Sequence, residues 1–260
     1  MEVLSFIRIS SKSNAALKHI SSLQALGKYR KKSREFVIEG LRICEDAVQN
    51  GIEFSEVFIS DSFNLKADKR SNEILEKAEK IYILPDELFL KIADTKTPQG
   101  IIAVAKYPEK SCSDILSGKY AALIDLQDPS NIGAIARSAE ALGIDGLIIS
   151  GGCDPYSPKV LRASMGTILR IPVYLTDDIV SFADRSELRL FACVPDKSAE
   201  NICNVKFDNK DVIMIGNEGN GLDETLINTS FKKITIPMKG KAESLNAAAA
   251  AAISMWEMIR

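Results

Sequence analysis

Three short stretches of this 260-residue chain hold side chains that could grip and activate a ligand. The first runs Asp128-Pro129-Ser130-Asn131-Ile132-Gly133-Ala134-Ile135-Ala136-Arg137, which sets an amide and a guanidinium at Asn131-x-Gly133-x-x-x-Arg137. A guanidinium so placed can hold a phosphate or carboxylate bidentately. The alternative is a surface arginine paired with Glu140 or Asp145. The second stretch, Ile215-Gly216-Asn217-Glu218-Gly219-Asn220-Gly221-Leu222, has glycines around an amide and a carboxylate. Glycines let backbone approach a ligand closely and permit positive φ; a Gly-rich turn with an exposed glutamate is the plainer alternative. The third opens with Ile236-Pro237, crosses a Met238-Lys239-Gly240-Lys241 loop and reaches Ser244-Leu245-Asn246 at a helix start. There Ser244 is a natural N-cap, and capping alone would account for it.

Several chemistries fall away. The glycines run G-x-x-G-x-G, late in the chain, and not G-x-G-x-x-G after a first strand, which disfavours a nicotinamide-dependent oxidoreductase. His19 is the only histidine and lies far from the three stretches, which argues against Ser-His and Cys-His hydrolases. No His/Cys/carboxylate cluster has ligand spacing, so no metal is expected. Cys44, Cys112, Cys153, Cys193 and Cys203 are scattered and odd in number, as suits a reducing, cytoplasmic setting without disulfides. The N-terminus has no basic segment followed by an apolar core, so no signal peptide is expected. The longest apolar run, Ala247 to Ile253, is too short to span a membrane.

The net charge of −2 hides an uneven distribution. Up to Arg42 there are nine Lys or Arg against three acids, whereas from Ser111 onward nineteen acids face fifteen bases. Lys28, Arg30, Lys31, Lys32 and Arg34 form the densest basic cluster, with Tyr29 inside it. Such a segment can neutralise phosphates and position an RNA backbone without reading sequence, or can simply be a solvated loop or helix end. Asp154-Pro155-Tyr156-Ser157-Pro158-Lys159 with Arg162 offers a second polar edge beside a helix start.

Each stretch must be positioned by the end of a strand and the start of a helix, where open α/β sheets bind ligands. In the front part, Glu35 to Glu39, Phe54 to Ser60, Ile81 to Leu84 and Ile101 to Ala105 read as strands. Leu41 to Gln49, Ser71 to Lys80 and Asp86 to Ile92 read as helices. Residues 107–119 are polar and read as a linker. Beyond it, strands are expected at Ala121 to Leu126, Gly146 to Ser150, Val173 to Thr176, Leu188 to Val194, Asp211 to Gly216 and Lys233 to Ile236. Helices are expected at Ile132 to Leu142, Ser157 to Ala163, Asp178 to Arg185, Leu222 to Asn228 and Leu245 to Arg260. Continuous apolar strands imply a mostly parallel sheet buried under helices on both faces. In the first of these helices, capped by Ser130 or Asn131, Ile132, Ile135, Ala139 and Leu142 share the sheet-facing stripe. Arg137 lies off it, near the helix start. The alanines after Asn246 permit very close packing.

Together the three stretches resemble the motifs of the SpoU (TrmH-like) RNA ribose 2′-O-methyltransferases of the SPOUT superfamily. Residues 1–106 look like the L30e-like RNA substrate-binding domain fused in front of many such enzymes, with residues 120–260 as the catalytic domain. The resemblance implies a trefoil-knotted α/β fold, S-adenosyl-L-methionine as cofactor and a homodimer. It implies cofactor contacts from Gly216, Asn217, Gly219, Ile236 and Leu245, and a polar catalytic group of Asn131, Arg137, Glu218, Ser244 and Asn246. RNA would meet Lys28, Arg30, Lys31, Lys32, Arg34 and Arg162. Because arginine stays protonated in proteins, Arg137 is expected to bind the target phosphate and stabilise a developing alkoxide, with Glu218 and Asn131 orienting the hydrogen bonds. The implied activity is methyl transfer to a ribose 2′-hydroxyl, in 23S rRNA or alternatively in tRNA. A base methyltransferase and a non-catalytic ribosome-assembly factor on the same fold are the rivals.

Overall fold

A computed structural model describes residues 5–66, 68–108 and 110–260. The chain divides into two compact units: the described residues up to Pro108 together with Tyr156–Pro158, and those from Lys110 to Pro155 together with Lys159–Arg260.

The first unit runs β1 (Phe6–Arg8), α1 (Ala15–Ala25), α2 (Gly27–Ser33), β2 (Glu35–Glu39), α3 (Leu41–Gln49), β3 (Phe54–Ser60), α4 (Asp61–Asn64), α5 (Lys69–Leu75), β4 (Ala78–Leu84), α6 (Asp86–Ile92) and β5 (Ile101–Lys106). Its sheet has the order β1-β4-β3-β5-β2, parallel where β4 meets β1 and β3, antiparallel around β5. The helix expected from Ser71 to Lys80 stops at Leu75, because Ala78–Leu84 is claimed by the sheet. There Ala78 pairs with Phe54, and Tyr82 stacks on Phe58 at 4.7 Å. Cross-strand pairing outweighs the helix propensity of the Glu76–Lys80 charges. The helices α1, α2 and α4 and the strand β1 escaped sequence reading. In α1 the Asn14 side chain accepts from the Ala16 N–H at 2.9 Å, and Leu17, Ile20 and Leu23 form its buried stripe.

The second unit runs β6 (Lys119–Ile124), α7 (Pro129–Leu142), β7 (Gly146–Ser150), α8 (Pro158–Ala163), β8 (Val173–Thr176), α9 (Ile179–Ser186), β9 (Arg189–Cys193), β10 (Glu200–Asn201), β11 (Asp211–Ile215), α10 (Glu224–Thr229), β12 (Lys232–Thr235) and α11 (Ala247–Ile259). Its seven strands lie in the order β10-β12-β9-β11-β6-β7-β8, and every pairing is parallel. The polar stretch before β6 is not all free chain. Ile115 is buried in this unit's core, and the Ser186 hydroxyl donates to the Cys112 carbonyl at 3.2 Å.

Strand side chains alternate between faces. Tyr120 and Ala122 of β6 and Val212 and Met214 of β11 join Phe182 of α9 and Leu226 of α10 in one cluster. On the other face α7 and α11 pack together and against the sheet. Ile132, Ile135 and Ala139 of the expected stripe of α7 are buried, with Ala136 beside them, whereas Leu142 in the last turn is only half-buried. From β6 the chain steps outward through β7 to β8, then crosses over to β9 on the far side of β11. The β6/β11 boundary is therefore the topological switch point, and the crevice beyond its strand ends is where this class of sheet binds ligands.

Candidate active site

Three loops leave the carboxyl ends of β6, β11 and β12 and are stitched together by one short chain of polar side chains. After β6, Asp125 turns with φ of 53°, a left-handed conformation that aspartate tolerates. Asp128, not Ser130 or Asn131, caps α7: its Oδ1 accepts from the Ser130 N–H at 2.8 Å, and Pro129 occupies the first turn. That releases the Asn131 side chain, which is buried, for a tertiary role. Its Nδ2 donates to Glu218 Oε1 at 2.9 Å, and its Oδ1 accepts from Asn246 Nδ2 at 3.0 Å. Glu218 also accepts from the backbone N–H groups of Gln127 (3.0 Å) and Asp128 (3.1 Å). A carboxylate on the β11 loop thus binds the start of α7, which in turn holds the start of α11.

Burial alone would raise the Glu218 carboxyl. The Gln127 amide, the Asn131 side chain and the Asp128 amide outweigh it and hold the group below its ordinary range. The loop around it is equally fixed. Asn217 Nδ2 donates to the Asp125 carbonyl at 2.8 Å, while its Oδ1 accepts from the N–H groups of Gly219 (2.9 Å) and Asn220 (3.0 Å). Gly216 is required by contact: a Cβ there would lie 2.3 Å from the Gly221 carbonyl carbon.

Beside this network lies a cavity of about 410 Å³ at the ends of β9, β11 and β12. Gly216, Asn217, Gly219, Ile236 and Leu245, the sequence-predicted cofactor group, all line it, together with Glu218 and Ser244. Asn131, Arg137 and Asn246 are not among its lining residues. Cys193, Val194 and Pro195 also line the cavity. Sequence reasoning missed this wall, although Leu188 to Val194 was legible as a strand whose carboxyl end should face the same crevice. Burial pushes the Cys193 thiol up, against a weaker opposing contact from Ser254, which disfavours the thiolate form. Ala247 and Ala250 complete the wall, so the small side chains of the alanine tract make room for the cavity as well as for packing.

Two positions differ from expectation. Asn246, not Ser244, caps the last helix, accepting from the Ala248 N–H at 2.9 Å, and α11 starts at Ala247. Ser244 is left exposed in the cavity wall. Arg137 sits in the body of α7 and not near its start. Its candidate surface partners are taken. Glu140 pairs with Arg170 at 2.9 Å, and Asp145 Oδ2 accepts from the Lys119 N–H at 2.7 Å. Among the described residues, exposed Arg137 has no ion pair or hydrogen bond, which leaves a guanidinium available to an incoming anion.

The expected RNA-contacting residues divide. Lys28, Lys31, Lys32 and Arg34 are exposed on and just after α2, with Arg34 over the Tyr107 ring at 4.9 Å. Arg162 is exposed on α8. Arg30 is a correction. It is buried, and its Nη1 donates to the Leu23 carbonyl at 2.6 Å, so it fastens α2 to the end of α1 and cannot meet a phosphate.

Comparison with known proteins meets this geometry. The model of the SpoU rRNA methylase family matches residues 119–256, more than half of the chain. The chain belongs to the SpoU rRNA methylase family. Residues 14–103 match the MRM3-like substrate-binding domain. Over 256 residues this SpoU protein is 29% identical to the 23S rRNA (guanosine(2553)-2′-O)-methyltransferase of Bacillus subtilis, covering 96% of this chain and 98% of that one. It is 30% identical over 266 residues to the 23S rRNA (uridine(2479)-2′-O)-methyltransferase of Streptomyces viridochromogenes, covering 97% and 92%. Among solved structures, the AdoMet-bound rRNA methyltransferase of Sinorhizobium meliloti matches with a TM-score of 0.84 at 25% identity, covering 97% of each chain.

Proposed function

We propose that this SpoU-family RNA methyltransferase transfers a methyl group from S-adenosylmethionine to a ribose 2′-hydroxyl of 23S ribosomal RNA. One observation carries the reading: the Glu218–Asn131–Asn246 chain ties three loops beside a ligand-sized cavity, while among the described residues Arg137 has no partner. The similar proteins from B. subtilis and S. viridochromogenes, both named as 23S rRNA 2′-O-methyltransferases, supply the substrate class.

The residues present fit the cofactor. A volume of about 410 Å³ suits a nucleoside-sized ligand. The wall includes apolar Ile236, Met238 and Leu245, as an adenine would need. Among the described residues it contains two carboxylates, Glu218 and Glu243, and no Lys or Arg, which favours a sulfonium cation. When bound, S-adenosylmethionine supplies an already activated methyl group. What remains for the protein is to position the 2′-hydroxyl and ease loss of its proton. Arg137 holds the phosphate of the target nucleotide and stabilises negative charge as it develops on the ribose oxygen. Glu218 and Asn131 act by holding the loops in register, since their polar atoms are spent on Gln127, Asp128 and Asn246. Ser244, exposed beside the cavity, is the free hydroxyl of the group.

The same reading carries a trefoil-knotted backbone at these loops, a cytoplasmic location and a homodimer. Exposed Ile253 and Trp256 on α11 suit a self-association surface. No helix among the described residues is long and apolar enough to cross a membrane, and no group of three potential metal ligands occurs among them.

The test is incubation with methyl-labelled cofactor and separated 23S, 16S and transfer RNA pools, followed by mapping of the modified ribose. Label at one 2′-oxygen of 23S rRNA is expected. Label on a base, or on tRNA alone, overturns the assignment.

A further inference from the structure

The basic helix α2 is not the only cationic feature of the first unit. Between α1 and α6 lies a cavity of about 510 Å³ lined by Lys12, Lys18 and Lys91, by the Ser21 and Ser22 hydroxyls and by an apolar floor that includes Leu88. Lys18, Ser21 and Ser22 fall on one face of α1, at helical i, i+3, i+4 spacing. Lys91 comes from the last turn of α6, and Lys12 from the segment that leads into α1. All three lysines are exposed.

Three features mark this groove as a binding surface. Among the described residues no carboxylate lines it, and none of the three ammonium groups has an ion pair or hydrogen bond to an acid. The lysines also crowd each other: the neighbouring Lys12 amino group pushes Lys91 below the ordinary lysine range, an effect that burial reinforces and Glu87 opposes. Like charges held close together repel, and an anion bound between them would relieve that repulsion. Finally, among the described residues the lining has no aromatic ring on which a base could stack and no side-chain amide or guanidinium to read a base edge. Point-charge ammonium groups over an apolar floor suit the sugar–phosphate backbone.

We infer that the α1/α6 groove binds the sugar–phosphate backbone of RNA through Lys12, Lys18 and Lys91, as a contact separate from the α2 cluster. This rests on the RNA-methylation reading and adds to it where the substrate lies on the first unit. The groove contributes affinity and not sequence choice. Its lysines take no part in methyl transfer.

The experiment uses the full chain, a fluorescently labelled, protein-free 23S rRNA fragment that the wild-type enzyme binds, and the variant Lys12→Gln/Lys18→Gln/Lys91→Gln. Loss of three phosphate contacts should weaken binding by roughly 10- to 100-fold at about 0.1 M salt. It should flatten the slope of log K against log salt by roughly 2–3. KM for RNA should rise while kcat at saturating RNA, affinity for S-adenosylmethionine and the unfolding midpoint stay as in wild type. The Lys→Arg triple variant, which keeps the charges, should bind like wild type. Unchanged affinity and slope in the glutamine variant overturn the inference. So does displacement from the groove by polyglutamate but not by RNA, which would assign it to an acidic protein. If wild type binds the fragment but transfers no methyl group to any RNA, the methylation reading fails, and the salt slope still reports on the groove.

Discussion

At the residue scale, the site is a division of labour between side chains that are spent and side chains that are free. Glu218 accepts three hydrogen bonds within the protein and Asn131 makes two, so their work is structural. Arg137 and Ser244 have no such obligations among the described residues. Arg137→Lys keeps the charge but loses the bidentate fork. We expect it to lower kcat about 100-fold or more while S-adenosylmethionine binds normally, as measured by single-turnover assay and calorimetry. Near-normal turnover would remove Arg137 from the mechanism. Glu218→Gln places an amide donor opposite backbone donors. The expected cost is about 1 kcal/mol, allowing for its exposure, and a melting point lower by roughly 2–4 °C. Because the folded protein lowers the Glu218 pKa, its stabilisation is complete above the unfolded carboxylate value of about 4.3 and fades as pH falls through the lower folded value. Acid titration should show this component in wild type and not in Glu218→Gln.

At the element scale, close approach governs the helices that carry the site. Gly133 on α7 faces the end of α8, where a Cβ would lie 2.5 Å from the Ala163 Cβ and 2.7 Å from its carbonyl carbon. Gly133→Ala must push these backbones apart, and a loss of about 1–3 kcal/mol is expected in chemical denaturation. An unchanged midpoint would show that the contact yields freely. Most strands and site helices were legible in the sequence because apolar runs between turn residues mark a buried parallel sheet. What was not legible depended on partners. Nothing in Ala78–Lys80 announces a strand until β3 lies beside it. Sequence reading puts the cap of α7 at Ser130 or Asn131, later than the actual cap Asp128, and only Glu218, brought in from the end of β11, shows that Asn131 is needed elsewhere. Arg30 looked like its basic neighbours because sequence does not show which side of a short helix meets Leu23. The motifs of the cavity could be read, but not the β9 wall, since no residue type distinguishes Cys193–Pro195 from any other strand end.

At the scale of the whole molecule, exposed Ile253 and Trp256 bear on self-association. If the proposed homodimer forms through this surface, Trp256→Asp shifts sedimentation from dimer to monomer; a wild-type chain that sediments as a monomer would refute the proposed dimer directly. The sheet itself carries a temporal consequence. Its middle pair joins Ala121 of β6 to Ile213 of β11, strands that are distant in the chain. A ribosome releasing this protein therefore exposes β6, β7 and β8 long before their inner neighbour exists, and such delayed pairing makes folding slow. Stalled nascent chains ending ahead of Asp211 should remain open to protease across residues 119–176, becoming resistant only once β11 has emerged.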